Sequence, residues 1–258
     1  MLKNKMQNKY FGVFADGNVG VEILDFFISS HNDNLKAIVV VDDQSSAYLF
    51  LKEKGYPEDN IIFNKHIYDN ASIEKLQSLG LDFILLAWWP FIVKRPLFSI
   101  PKVGTINFHP SYLPYNKGKH YNFWSIIEET QFGVSIHFVD DSIDGGDIIF
   151  QSKIEKTWED TGESLYFKAQ KSIVELFKYN FKALITGEYS RIKQKKDEGS
   201  FHYASELEPA SQIILDHTYS ARDLINLLRA RTFTGHPGCY FFDNNKKYEI
   251  RINIKETK

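Results

Sequence analysis

The chain has 258 residues, of which 43% are hydrophobic, so it is long enough to bury one sizeable core and a small additional region. Lysine and arginine number 31 against 33 aspartates and glutamates, so the chain lacks the basic excess that nucleic-acid binding requires. A single cysteine, Cys239, excludes an internal disulfide framework and fits a reducing compartment.

The amino-terminal residues 1–9 carry charge, and no apolar segment of the kind found in secretory signals follows them. The sequence also lacks a run of about 18 apolar residues that would span a bilayer. We therefore expect a cytoplasmic protein without a membrane partner.

The first part of the chain alternates strand and helix patterns. Residues 9–15 and 35–41 are apolar runs typical of buried strands, and apolar residues at helical spacing follow each of them. Short strands are also predicted at 61–63 and 83–87, with a helix near 72–79 between them. This alternation predicts an α/β, Rossmann-like fold in which a mostly parallel, twisted sheet carries helices on both faces.

The second part of the chain contains a long helix and a carboxyl-terminal region that lacks the strand-helix alternation. Residues 164–186 keep apolar side chains on one side, so this helix should pack on the sheet. The polar segment 191–205 marks the predicted boundary between a main domain, 1–190, and a carboxyl-terminal region, 191–258. That region should contain a helix and, at 239–254, a β-hairpin.

An amide and an imidazole stand together at the end of one predicted strand. Residues 104–108 form a short apolar run, and Pro110 forces the chain out of the sheet directly after it. Asn107 and His109 should therefore stand at the carboxyl end of a strand, where open α/β sheets bind their ligands.

A carboxylate follows the next apolar strand. Residues 133–139 form that strand, and the acidic, glycine-rich turn 140–147 contains Asp144. If the two strands are adjacent and parallel, Asp144 comes to lie beside His109. His109 can then accept and donate a proton, and Asp144 can fix its ring or relay the proton.

Asn107 completes this set as a neutral donor to a developing oxyanion. No serine or cysteine stands in the strand-turn-helix elbow that esterases use, and Ser111 lies on a proline-flanked turn. The attacking nucleophile is therefore expected to belong to the substrate.

Three other features have a structural and a functional interpretation. His137, in the middle of a strand, is either a core histidine or part of the site. The turn 16–20, which contains Asn18, is either a simple tight turn or a phosphate site at a helix start. The polar loop 117–122 is either solvated or in contact with substrate.

Two motifs resemble those of a known family. The segment NFHPSYLP at 107–114, followed by GVSIHFVDDSIDGGDIIFQ at 133–151, is similar to the folate-dependent formyltransferases. Those enzymes move a formyl group from 10-formyltetrahydrofolate to an amine. The segments at 88–90, 117–124 and 157–169 most resemble the nucleotide-linked amino-sugar N-formyltransferases, of the dTDP-4-amino-4,6-dideoxyglucose formyltransferase type.

The resemblance implies roles for particular residues. The catalytic residues would be Asn107, His109 and Asp144. The folate-binding residues would be Trp88, Trp89, Pro90, Asp140 and Asp141, with backbone forming much of the pterin pocket. The substrate-binding residues would be Asn18, Lys117, Lys119, His120, Tyr121, Asn122, Arg231, Phe233 and Tyr240.

The resemblance further implies that 10-formyltetrahydrofolate is the co-substrate, that no metal is needed, and that the chain is a homodimer. The acceptor would be a dTDP-linked amino-dideoxysugar used for O-antigen or other surface glycans. The position of the amine and the choice between dTDP and UDP stay open.

Three alternative functions remain at this point. A methionyl-tRNA formyltransferase is the nearest, although its carboxyl-terminal barrel is too large for the residues after Glu206. A nicotinamide-dependent oxidoreductase could use Asp42 or Asp43 to bind ribose, but the glycine fingerprint is missing. A metal-dependent hydrolase could draw its ligands from the following residues: His109, His120, His137 and Asp144.

Overall fold

The computed structural model describes residues 9–195 and 198–257. Residues 1–8, on which the expectation about a leader segment rests, and residues 196–197 of the polar boundary segment lie outside the described residues. Within those two ranges, no helix combines the length and the apolar content needed to cross a bilayer.

Strands and helices alternate along most of the chain. The strands are β1 (Phe11–Ala15), β2 (Leu35–Val40), β3 (Ile61–Phe63), β4 (Phe83–Ala87), β5 (Gly104–His109), β6 (Lys117–Gly118), β7 (Gly133–Phe138), β8 (Ile148–Lys153), β9 (Phe201–His202), β10 (Cys239–Asp243) and β11 (Lys246–Ile250). The helices are α1 (Gly17–Ser30), α2 (Ser46–Glu53), α3 (Asn70–Ser78), α4 (Arg95–Phe98), α5 (Tyr121–Ile127), α6 (Gly162–Thr186), α7 (Leu207–Ala210) and α8 (Ala221–Arg231).

Seven strands form the main sheet in the order β3-β2-β1-β4-β5-β7-β8. Strands β1 to β5 pair in parallel, which confirms the mostly parallel α/β sheet. Strand β7 runs antiparallel to β5, with Phe138 opposite Ile106 and Ser135 opposite His109. The expectation that these two strands are parallel is therefore wrong.

The direction of β7 has a physical reason. A parallel neighbour needs a crossover segment that returns along the sheet to the starting end of β5. Residues 110–132 instead belong to a different compact unit, and the chain re-enters the sheet at Gly133, near the end where β5 finished. Strand β7 consequently ends at Phe138, beside Ile106 in the middle of β5, and the turn that carries Asp144 starts there.

Helices cover both faces of the sheet. On one face, Phe11 of β1 contacts Phe27 of α1 and Phe181 of α6 at ring-centroid distances of 5.3 and 5.4 Å. On the other face, Phe14 of β1 belongs to a buried cluster that includes Leu76 of α3. Because side chains alternate along a strand, one apolar strand supplies both cores.

The chain forms two compact units, each assembled from several segments. The first unit consists of the described residues through His109, then Ser135–Gln151 and Ile173–Gln194, and contains most of the main sheet. The second unit consists of Pro110–Val134, Ser152–Ser172 and the described residues from Lys195 onward. The division into residues 1–190 and 191–258 stays a prediction.

Within the second unit, α5 packs against α8, and β6 pairs in parallel with β9. Strands β10 and β11 form the antiparallel hairpin that the sequence predicts. Its turn residues Asn244 and Asn245 have φ values of 47° and 63°, as a type I′ turn requires. The second strand ends at Ile250, earlier than predicted.

The packing of α6 on the sheet generates a stability prediction. Phe177 is fully buried against Phe27 and Phe108, whereas Tyr179, two residues further along the same helix, is 87% exposed. Phe177→Ala should lower the free energy of unfolding by about 3–5 kcal/mol, because it removes a large buried side chain and leaves a cavity. Tyr179→Ala should change it by less than about 0.5 kcal/mol. Urea denaturation measures both, and equal losses would contradict this packing.

Candidate active site

The predicted catalytic residues of β5 lie on one face of the sheet. Asn107 and His109 are two residues apart, so their side chains point to the same side. Phe108, between them, points to the other side and contacts Phe177 at a ring-centroid distance of 5.1 Å. The antiparallel register places His137 of β7 directly beside Asn107.

Asp144 joins these side chains through one oxygen atom. Its Oδ1 lies 3.4 Å from Asn107 Nδ2, 3.4 Å from His109 Nδ1 and 3.6 Å from His137 Nε2. His109 and His137 are buried, and Asn107 and Asp144 are partly buried. These separations exceed ordinary hydrogen-bond lengths, and such contacts can shorten in the reacting complex.

His137 belongs to this site, which the sequence left undecided. Its Nδ1 lies 2.8 Å from the carbonyl oxygen of Phe138, so Nδ1 carries the hydrogen. In the neutral ring Nε2 is then an acceptor, and Asn107 Nδ2 donates to it at 3.3 Å. The missing signal was the antiparallel register, because spacing along β7 alone does not show which neighbour a side chain meets.

The turn between β7 and β8 brings Asp144 onto this face. Asp144 has φ = 52°, in the left-handed region. The carboxylate of Asp140 accepts a hydrogen bond of 2.8 Å from the backbone N–H of Ser142. Gly146 lies so close to the carbonyl of Phe138 that any Cβ would overlap its oxygen. The acidic, glycine-rich composition therefore serves the shape of the turn.

Asp141 of the same turn pairs with Arg95, which follows the predicted folate-binding loop. Within that loop, Trp88 has φ = 62°, and a Cβ at Gly17 would lie 3.2 Å from its ring. Trp89 packs against Phe14 at 5.4 Å and is partly buried in the core cluster. The two tryptophans thus have different surroundings, and Trp88 stands at the adjoining ends of β1 and β4.

The turn after β1 is acidic. Burial raises the pKa of the Asp16 carboxyl; the backbone N–H of Gly17 opposes this shift, and the nearby Asp42 adds to it. Asn18 is exposed in the first turn of α1. Because the carboxyl group of Asp16 lies at this helix start and that of Asp42 is near it, negative charge opposes a phosphate there, and the binding role of Asn18 stays a prediction.

A cationic group lies in the second unit. The pKa of His120 is lowered, first by burial and then by the charges of Arg231 and Lys119, with a smaller effect of His236. Arg231 is buried and donates from Nε to Ser211 Oγ at 2.9 Å. Several positive groups close enough to depress the pKa of a histidine form a suitable environment for an anion.

Two predicted substrate residues have partners inside the protein. Asn122 donates to the carbonyl of Gly162 at 2.7 Å. Tyr240 is buried, its hydroxyl lies 3.4 Å from the carbonyl of Glu208, and Lys247 Nζ lies 3.7 Å from its ring centroid. These contacts stabilise the second unit, and the predicted substrate contacts of Asn122 and Tyr240 stay predictions.

Tyr121 and Phe233 differ in exposure. Tyr121 is buried in α5, which raises the pKa of its phenol well above the ordinary value, with a smaller contribution from Tyr166. Phe233 is half-buried and meets Tyr166 edge to face at 5.5 Å. Only Phe233 leaves part of its ring open to a ligand.

Three of the four residues proposed as metal ligands lie together among the described residues. His109, His137 and Asp144 have possible ligand atoms that all lie within 4.8 Å of one another. His120, the fourth ligand of that interpretation, is not a member of this group and has cationic neighbours. Proton exchange through these side chains requires no metal.

The fold and this site define a class of protein. The Rossmann-like sheet places an amide, an imidazole and a carboxylate together at the end of β5. Residues 14–178 match the formyl transferase family, and residues 206–256 match the N-formyltransferase dimerization C-terminal domain. The chain belongs to the formyl transferase family.

Several relatives are 30% identical to this chain, and two of them illustrate the range of activities. The methionyl-tRNA formyltransferase of Fusobacterium nucleatum aligns with 72% of this chain and 60% of its own length. The dTDP-4-amino-4,6-dideoxyglucose formyltransferase of Mycobacterium bovis aligns with 63% of this chain and 70% of its own. The chain thus spans less than two thirds of the first relative.

Solved structures share the fold over nearly the whole chain. A 4-N formyltransferase from Francisella tularensis has a TM-score of 0.80 and 24% identity, covering 96% of this chain and 99% of that one. An N-formyltransferase from Helicobacter canadensis, in complex with folinic acid and dTDP-3-aminofucose, has a TM-score of 0.67 and 22% identity, covering 93% and 86%.

Proposed function

We propose that this protein transfers the formyl group of 10-formyltetrahydrofolate to the amine of a nucleotide-linked amino sugar. Our preferred substrate is dTDP-4-amino-4,6-dideoxyglucose, with a product used in O-antigen or another surface glycan, made in the cytoplasm. The convergence of Asn107, His109 and Asp144 on one sheet face carries this proposal, because formyl transfer needs an oxyanion donor and a proton path.

The reaction is direct acyl transfer. The neutral amine attacks the formyl carbon, and the carbonyl oxygen becomes a tetrahedral oxyanion. Asn107 Nδ2 and His109 donate to that oxygen, and Asp144 assists the proton that leaves the amine for the folate nitrogen, which departs as the C–N bond breaks. The amide hydrogens of Asn107 make contacts of 3.3 and 3.4 Å with His137 and Asp144, so a closer oxyanion can replace one of them.

The nucleotide diphosphate is assigned to the cationic group of the second unit. Lys119 and Arg231 supply positive charge, the His120 ring beside them can offer a hydrogen bond, and Lys117 is close to them in sequence. Phe233 is our candidate for stacking on the base, because part of its ring is accessible. Our further candidates for contacts to the substrate are Asn18, Tyr121, Asn122 and Tyr240.

The folate is assigned to the loop at Trp88, Trp89 and Pro90 together with the turn at Asp140 and Asp141. The ion pair between Arg95 and Asp141 connects these two segments within the first unit, so one ligand can contact both. Backbone groups of the two segments would bind the edge of the pterin, and Trp88 would contact its flat face.

A second acceptor is retained because a methionyl-tRNA formyltransferase is as similar in sequence as the sugar enzyme. The formal charge of -2 disfavours tRNA, because binding to a polyanion depends on an excess of cations. The match of residues 206–256 to the N-formyltransferase dimerization domain also supports the smaller acceptor.

The first test is an assay of formyl transfer with a panel of dTDP- and UDP-linked 3-amino and 4-amino sugars and with methionyl-tRNA. Turnover with dTDP-4-amino-4,6-dideoxyglucose should exceed the others. Asn107→Ala, His109→Ala and Asp144→Asn should each lower kcat by on the order of 100-fold or more, because each removes an oxyanion donor or a proton carrier.

Asp147→Asn is the matched control for this assay, because it makes the same change in the same turn outside the proposed chemistry. It should retain turnover near the wild-type value, and melting temperatures of all variants should stay within a few degrees. Near-normal turnover of His109→Ala, or transfer to tRNA alone, would contradict the proposed function.

The second test concerns the co-substrate. Stable 5-formyltetrahydrofolate should raise the free energy of unfolding by about 2.7 kcal/mol at a concentration near 100 times its dissociation constant. The fluorescence of Trp88 should respond, and Trp88→Phe should remove most of the change while Trp158→Phe should not. The absence of both a melting shift and a fluorescence change would exclude folate binding.

The third test concerns assembly, for which we propose a homodimer through the carboxyl-terminal hairpin. An isolated two-stranded hairpin is marginal in water, yet Phe242, Tyr248 and Leu215 of this region are 50%, 43% and 55% exposed. Covering them with a second copy would bury this apolar surface.

Light scattering should therefore report twice 30.0 kDa for the full chain. Phe242→Glu, or truncation after Asn244, should give monomer or insoluble protein. Leu49→Glu, at a residue that is 49% exposed in the first unit, should leave the dimer intact. A wild-type monomer at micromolar concentration would contradict this assembly.

A further inference from the structure

The turn that carries Asp144 needs an external support. It leaves β7 at Phe138 and re-enters the sheet at Ile148, with its backbone joined by the bond from Phe138 N–H to the carbonyl of Asp147 at 2.8 Å. Asp144 itself holds φ = 52°, a conformation that costs a residue with a Cβ on the order of 1 kcal/mol. A turn with such a residue relaxes unless its surroundings restrain it.

The chain segment after α6 supplies that restraint. Ile192 and Ile148 form an antiparallel bridge with backbone hydrogen bonds of 2.8 and 2.9 Å in the two directions. In an antiparallel register, moving two residues along one segment corresponds to moving two residues back along the other. The bridge therefore brings Gln194 opposite Gly146, inside the turn.

The side chain of Gln194 uses both of its amide hydrogens there. Nε2 donates to the carbonyl of Asp144 at 2.8 Å and to the carbonyl of Gly146 at 2.8 Å. Its orientation is unambiguous, because the reverse would place Oε1 against two carbonyl oxygens. Oε1 of Gln194 is buried and accepts no hydrogen bond within the described residues. The two bonds donated by Nε2 therefore decide the conformation of the Gln194 side chain.

We propose that Gln194 is a positioning residue for Asp144 and thereby controls the rate of the transfer step. Its two bonds have normal lengths, whereas the contacts of Asp144 with Asn107 and His109 measure 3.4 Å each. The backbone support is thus tighter than the catalytic contacts it serves. Gln194 fixes where the carboxylate stands without touching the reacting atoms. This inference rests on the proposed formyl transfer.

The chemistry of the residue makes the inference testable by substitution. Gln194→Met keeps the side-chain volume and removes both donors. Gln194→Glu keeps a polar group that can only accept when ionised, and Gln194→Lys restores donors to the two carbonyls. Gln131→Met is the matched control, because Gln131 also donates from Nε2 to a backbone carbonyl, that of Phe132, at 3.0 Å.

In the kinetic experiment, Gln194→Met and Gln194→Glu should lower kcat by on the order of 10-fold, because small misplacement of a catalytic group slows the chemical step. KM for the amino sugar should stay within about 2-fold of the wild-type value, because the groups that bind the substrate before the reaction are unchanged. Gln194→Lys should recover most of the loss, and Gln131→Met should match the wild type.

A double-mutant comparison separates positioning from general stability. In the Asp144→Asn background, Gln194→Met should cause little further loss, because residues that act through one group are not additive. A purely structural role would instead lower activity by the same factor in both backgrounds. Additive losses would overturn the inference, as would a normal kcat for both Gln194→Met and Gln194→Glu.

A measurement without substrate keeps this inference distinct from the proposed function. Amide hydrogen exchange of the peptide covering residues 142–148 should be faster in Gln194→Met and Gln194→Glu than in the wild type, and restored in Gln194→Lys. If the wild-type protein transfers no formyl group, the proposed function fails. Faster amide exchange in the two variants would still show that Gln194 restrains the turn. Unchanged exchange in both variants would overturn the inference whatever the activity.

Discussion

The carboxylate oxygen Oδ1 of Asp144 organises the candidate active site, because nitrogen atoms of Asn107, His109 and His137 all lie within 3.6 Å of it. Removing a carboxylate from water is costly unless donors surround it. Here the donors nearest to it, Asn107 and His109, come from β5, so the geometry of the site depends on placing a flexible turn over a rigid sheet face.

The site therefore combines two kinds of support. Residues on β5 and β7 are held by the ladder of backbone hydrogen bonds and by the aromatic core beneath Phe108. Asp144 is held by local turn contacts and by the segment that follows α6. Groups on strands are positioned more tightly than groups on loops, so the turn is the part of the site whose geometry is most easily altered.

Charge is distributed unevenly although the total is close to neutral. Asp16, in the turn after β1, has the carboxyl group of Asp42 nearby, whereas Lys119 and Arg231 lie near His120 in the second unit. A formal charge of -2 therefore says little about where an anionic substrate would bind. It argues against a surface that is basic overall but not against a local cluster.

The sequence by itself determined the features that depend on neighbouring residues. Apolar periodicity specifies strands and helices, Pro110 places Asn107 and His109 at the end of β5, and the pair Asn244 and Asn245 specifies the hairpin turn. These signals are local, because they act through side-chain alternation and allowed backbone angles. The family motifs, being contiguous in the chain, were also readable without coordinates.

Only the tertiary structure decided which way β7 runs, and from that choice follow the contact of His137 with Asn107 and the path of the Asp144 turn. The register between Ile148 and Ile192 then decided that Gln194 meets this turn. An apolar strand has the same side-chain pattern in either direction, since its period of two is symmetric. Direction and register are set by contacts between residues far apart in the chain, which no local pattern encodes.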